Sequence, residues 1–133
     1  EKYDIDPDKI LLCGFSAGGH LTASLGTLWN IEYLHSIIGS TEMFKPNGMI
    51  LCYPVITSGK YRHKGSIESI LGKNPSEKML ELVSLEKQVS GKTPKTFIWH
   101  SVNIKYHLSV TSSHTEVTDW LWQTNQLPST KDI

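Results

Sequence analysis

Lys9-Ile10-Leu11-Leu12-Cys13-Gly14-Phe15-Ser16-Ala17-Gly18-Gly19-His20-Leu21 decides how this 133-residue chain folds. Its first half is apolar on consecutive positions, the habit of a strand in a parallel sheet with both faces covered. Its second half opens a helix with no room for a loop. Leu21, Leu25, Leu28 and Trp29 recur at helical spacing between Ala17 and Trp29, and Asn30 is a stop. At the junction, Gly14-Phe15-Ser16-Ala17-Gly18 matches G-x-S-x-G, the nucleophile elbow. The serine of such an elbow takes a strained backbone conformation that lifts its hydroxyl above the sheet, and larger flanking side chains would strike the strand or the helix. The Ala17 amide, at the positive end of the new helix, is placed to donate to a developing oxyanion. The pattern nominates Ser16 as a nucleophile and the Ala17 backbone N–H as an oxyanion donor.

Two blander uses of the same glycines compete. Gly14 to Gly19 could be a turn that packs helix on strand, or a phosphate cradle, since a helix N-terminus after a strand binds anions. Against the cradle, Ser16 stands where a dinucleotide fingerprint has its middle glycine, and no Lys-Ser/Thr follows as in a P-loop.

Outward from the elbow, Asp6-Pro7-Asp8 is a turn signal and Lys45-Pro46-Asn47-Gly48 another, with one short helix expected between Ile31 and Phe44. Met49 to Tyr53 is a second buried strand, ended by Pro54. Ser66 to Leu71 with Gly72 behind it reads as a short helix with its C-cap, and Asn74-Pro75 opens another with Pro at its first position. Thr96-Phe97-Ile98-Trp99-His100 is a third apolar run. Three buried strands separated by crossovers make the fold class α/β: a three-stranded parallel sheet with crossover helices and a helical insertion at about 57–92. From Ser101 the glycines stop and no periodicity replaces them, so 101–133 reads as an irregular tail.

Thirteen basic and thirteen acidic residues cancel, which leaves no field of one sign for nucleic acid or an anionic membrane. The apolar runs fall far short of the ~20 residues that span a bilayer. Cys13 and Cys52 lie inside strand-like runs and are expected as buried free thiols, in keeping with a reducing, cytoplasmic setting. No metal or cofactor is implied, because His63, His100, His107 and His114 lack ligand spacing. His20, four residues after Ser16, is expected to pack beneath neighbouring loops rather than serve as base. Glu68, Glu77, Glu81 and Glu86 read as surface charge. Tyr33, Tyr53, Tyr61 and Trp29 are aromatic candidates for an acyl or sugar pocket, with core contact the commoner use.

Several separate segments resemble one family. Gly14 through Leu21, Lys45-Pro46-Asn47-Gly48, Cys52-Tyr53-Pro54-Val55-Ile56, Gly65-Ser66, Leu71-Gly72 and Pro94 through His100 are similar to the acetyl esterase and acetylxylan-esterase-like branch of the α/β-hydrolases. The resemblance covers 1–100, a partial α/β-hydrolase domain. It implies a Ser-His-Asp hydrolase of small-molecule esters, often acetyl groups on sugars, and implies that the first half of the family's sheet and its HGGG-type loop have no counterpart here. This chain is then expected to be inactive by itself, and to self-associate through an exposed sheet edge. The alternative is a noncatalytic α/β module that binds a small ligand or a partner.

The resemblance implies a catalytic Asp in an Asp-Asp-x-x-Val-Pro stretch after the strand, where this chain has Asn103 and Ile104, and a catalytic His in a Gly-His-Gly-Leu-Ala-like loop that is missing as written. Codons compatible with Glu116 to Asn125, read from the third base of each, permit GHGLALANE. Upstream of that stretch, from Lys105 to Glu116, the same frame permits VPFECHIFPYG, a strand leading into that loop. Residues from Ser101 onward are therefore expected to be an out-of-frame reading that also lost the Asp segment. The nucleotide sequence decides: codons for Glu116 to Thr124 that spell the histidine loop when shifted are the expected outcome, and any other spelling contradicts it.

Overall fold

A computed structural model describes residues 3–99, so the expectations placed on His100 and on 101–133, the shifted frame included, lie outside the described residues. Asp6 opens the first turn by accepting from the Asp8 amide at 2.9 Å, and Lys9 pairs back to it. Strand β1 (Leu11–Phe15) follows, then α1 (Ala17–Leu28), α2 (Glu32–Ile38), β2 (Gly48–Cys52), α3 (Lys64–Leu71), α4 (Glu77–Leu82) and β3 (Lys95–Trp99).

The three strands lie side by side in chain order, all parallel, with Leu11 opposite Gly48 and Gly48 opposite Lys95. Parallel neighbours need a crossover. α1 and α2 supply the first, and α3 and α4 the second. This is the partial α/β fold that the three apolar runs predict. α3 ends on Gly72 at φ 80°, the left-handed cap that a glycine there announces. α4 starts later than Pro75 suggests, because the Ser76 hydroxyl accepts from the Met79 amide at 3.3 Å and fixes Glu77 as the first helical residue.

Ala23, Met49, Leu51, Ile56, Leu85 and Ile98 form the core, on the side of the sheet that α1 covers. α1 buries the stripe of Leu21, Leu25, Leu28 and Trp29 only in part: Trp29 is buried, Leu28 packs against the core, Leu25 is half-buried and Leu21 turns to solvent. Gly19, His20, Thr22, Ala23, Gly26 and Thr27 face inward, and Leu21 is 73% exposed. The helix lies too close to the sheet for larger groups. A Cβ on Gly26 would enter the Met49 thioether, and one on Gly19 would come within 2.7 Å of the Pro54 Cβ.

Among the described residues nothing covers the other sheet face. Leu11, Cys13, Phe15, Phe97 and Trp99 are exposed, and Ile50 and Cys52 half-buried. Both-face cover is thus met on one side only among the described residues, and the buried-thiol expectation fails for Cys13 and Cys52. The reason is parity: register puts both cysteines in the alternate set that contains Phe15 and Trp99, pointing away from α1. Desolvation by these neighbours, with the Cys13 thiol beside it, pushes the Cys52 thiol above its ordinary pKa.

Gly19→Ala should lower the free energy of unfolding by about 1–3 kcal/mol in a urea titration, the usual cost of overpacking. An unchanged midpoint would contradict the close approach of α1 to Pro54.

Candidate active site

Ser16 is the residue between β1 and α1, with φ 50° and ψ −116°, a conformation L-residues rarely adopt. Hydrogen bonds hold it from both sides. Its N–H donates to the Cys52 carbonyl at 3.0 Å, prolonging the β1–β2 ladder by one residue. Its carbonyl accepts from the Val55 N–H at 3.1 Å and the His20 N–H at 3.2 Å. The hydroxyl makes no capping bond to the helix, and the residue is exposed. Ala17 is the first residue of α1, also exposed, and its amide is one of those that helix geometry leaves without an intrahelical acceptor.

The glycines around the serine divide by function. A side chain on Gly14 would collide with the Gly18 carbonyl and the Thr22 hydroxyl, and Gly19 is held by Pro54. Gly18 faces open space, so the second glycine of the pattern is not demanded sterically among the described residues. It lies in the first turn of α1, with its carbonyl against Gly14 of β1.

Tyr53, one residue past β2, is the other described non-glycine with positive φ, at 37°. Its N–H donates to the Trp99 carbonyl at 2.7 Å. Its ring meets Phe15 at 6.0 Å and 61°, and Trp99 at 5.8 Å and 72°, an edge-to-face row across the ends of the three strands. Sequence reasoning missed this row. Its trace is that each strand run closes on an aromatic: Phe15, Tyr53, Trp99. Of the other aromatic candidates, Tyr33 and Tyr61 are exposed, and Trp29 is buried, with its Nε1 donating to the Lys92 carbonyl at 3.3 Å.

His20 is buried, as expected, with Nδ1 2.9 Å from the Val55 carbonyl. Burial pushes its pKa below the ordinary histidine value, opposed by that hydrogen bond and by the Glu86 carboxylate. His35 contacts the Thr41 hydroxyl at 2.9 Å and His63 the Ser66 hydroxyl at 2.8 Å. Each of these three imidazoles therefore has a recorded partner other than Ser16. The acid and base that the resemblance implies fall beyond residue 100, outside the described residues. Glu68 and Glu81 pair with Lys64 and Lys87 at 3.6 and 3.8 Å, and Glu77 is exposed. Glu86 departs from the surface-charge expectation. It is half-buried, one oxygen accepting from the Thr57 hydroxyl at 2.7 Å and the other buried without a partner among the described residues. Among the described residues no group of three or more His, Cys, Asp or Glu could hold a metal ion, and no helix is long and apolar enough to cross a membrane.

A parallel sheet with a serine in a left-handed corner between strand and covering helix defines the class: an α/β-hydrolase fold, present in part. More narrowly, the chain belongs to the BD-FAE family, whose profile matches residues 1–114. It is 44% identical over 106 residues to endo-1,4-beta-xylanase B of Butyrivibrio fibrisolvens, covering 75% of this chain and 16% of that protein. It is 36% identical over 72 residues to the acetylxylan esterase of Xylanibacter ruminicola, covering 53% of this chain and 13% of that one. The chain thus spans less than a fifth of the curated relatives it matches. Among solved structures, the acetyl ester-xyloside bifunctional hydrolase of Caldicellulosiruptor lactoaceticus matches with TM-score 0.62 and 39% identity, over 72% of this chain and 36% of that one. A carboxylesterase of Lactobacillus plantarum shares the fold with TM-score 0.60 at 21% identity, over 91% of this chain and 42% of that one.

Ser16→Gly and Ser16→Ala both delete the hydroxyl, but only glycine relaxes at φ 50°. The glycine variant should be the more stable by about 1 kcal/mol on thermal or chemical unfolding, because a strained residue costs of that order. Equal stability would mean that the corner is unstrained.

Proposed function

We propose that this chain carries the nucleophile-bearing part of a serine carboxylic-ester hydrolase that removes short acyl groups, chiefly acetyl, from esterified sugars such as xylan. The observation that supports it is the exposed Ser16 hydroxyl on a positive-φ corner at the N-terminus of α1. The names of two relatives, an acetylxylan esterase and an acetyl ester-xyloside hydrolase, point to the acyl group and the alcohol.

In this reading Ser16 Oγ adds to the ester carbonyl as a histidine takes its proton. The Ala17 N–H donates to the oxyanion. Collapse breaks the bond to the sugar oxygen, which takes that proton from the histidine and leaves as a hydroxyl, and water then hydrolyses the acyl-enzyme. A serine without its base stays a neutral alcohol and a weak nucleophile. Catalysis of ~10³ to 10⁴-fold survives loss of triad members only where oxyanion hole and binding site are whole. The 133-residue chain alone therefore has negligible turnover, and the sheet edges that are unpaired among the described residues favour self-association.

A chimaera tests the reading. Residues 1–99 replace the matching segment of the Caldicellulosiruptor hydrolase, and acetate release from 4-nitrophenyl acetate is followed. Release should fall by about 10⁴-fold or more on Ser16→Ala, as removal of a nucleophile does. Undiminished release would exclude Ser16 as the nucleophile. A serine-dependent nitrophenol burst from the unfused chain would overturn the claim of inactivity.

A further inference from the structure

We propose that His20 is a positioning residue that aims the Ala17 N–H, by holding Val55 against the Ser16 carbonyl. The inference rests on the hydrolase reading of Ser16 and adds a residue to it. His20 lies one turn along α1 from the serine and is 5% exposed. Its Nδ1 is 2.9 Å from the Val55 carbonyl oxygen, which can only accept, so the ring proton resides on Nδ1. The Val55 N–H donates to the Ser16 carbonyl at 3.1 Å, and the His20 backbone N–H donates to the same oxygen at 3.2 Å. Side chain and backbone of His20 thus close a ring through Val55 and Ser16, with that carbonyl gripped at two points.

The consequence follows from peptide planarity. The Ser16 carbonyl and the Ala17 N–H belong to one trans peptide unit, so they point in opposite directions. Drawing the carbonyl down toward Val55 and His20 turns the amide up and out at the helix start. Rotation about ψ of Ser16 would swing the amide away, and the His20–Val55 bracket resists that rotation. Glu86 does not compete for that proton: among the described residues no hydrogen bond reaches its second, buried oxygen.

The side-chain nitrogen of Asn can stand in for Nδ1 of histidine, and that of Gln for Nε2, so the pair separates the bracket from mere polarity or volume. The chain is labelled with ¹⁵N and compared with H20N, H20Q, H20L and E86Q by NMR. The parent ring should carry its proton on Nδ1, with Nε2 bare, and E86Q should leave that tautomer in place. The Val55 amide should exchange within about twofold of the parent rate in H20N but about 3- to 10-fold faster in H20Q and H20L, the span of one ordinary hydrogen bond. The Ala17 N–H dipolar coupling should change in H20Q and H20L only, while the Ala23 amide in the core of α1 keeps its protection. A proton on Nε2, equal behaviour of H20N and H20Q, or equal loss of protection at Ala23 would overturn the proposal. None of these readouts requires hydrolysis. An intact bracket in a chimaera that does not need Ser16 would sink the hydrolase reading alone, and a missing bracket in one that does would sink this proposal alone.

Discussion

The corner at Ser16 depends on two hydrogen bonds that reach across the fold: the serine N–H to the Cys52 carbonyl, and the Val55 N–H to the serine carbonyl. Both partners lie about the end of β2, so the local conformation exists only once β1 and β2 are paired in register. Positive-φ residues cost of order 1–3 kcal/mol each, and a net hydrogen bond returns about 1. Ser16 and Tyr53 are neighbours in this respect: each stands one residue beyond its strand, and each donates its N–H to the last residue of the next strand. The sheet's C-terminal edge therefore imposes the strain, and the core under α1 supports it.

That support explains the composition of α1. A helix launched directly from a strand, with no loop, must cross the sheet at close range. Gly19, Ala23 and Gly26 make that possible, the last by accepting the Met49 thioether in the space a side chain would occupy. Thr22 and Thr27 also face inward, and the Thr27 hydroxyl returns to the Ala23 carbonyl at 2.8 Å, so burial leaves it satisfied. The opposite face keeps its aromatic and aliphatic side chains in the open, and the row of Phe15, Tyr53 and Trp99 crosses that end of the sheet.

The strands and the elbow were legible because their determinants are local: consecutive apolar residues, a glycine where the helix returns over the strand, and a serine between them. The face of α1 was legible from leucine spacing only in part: Leu28 and Trp29 lie on the buried side, but close approach selects small residues beside them and sends Leu21 to solvent. Cys13 and Cys52 were misjudged for a related reason. An apolar run marks a strand but does not say which alternate set a covering helix will reach. Tyr53 at φ 37° had no local mark, because its strain comes from the hydrogen bond to Trp99, 46 positions along the chain. Glu86 looked like ordinary surface charge, and only the packing of its turn against α1 buries one of its oxygens.

The most direct measurement is the backbone geometry of Ser16 in an experimental structure of this chain. Left-handed φ, with the serine N–H on the Cys52 carbonyl and its hydroxyl free at the start of α1, is the predicted result. A serine with helical φ and its N–H bonded within α1 would contradict the account, because no corner would then remain for the site to stand on.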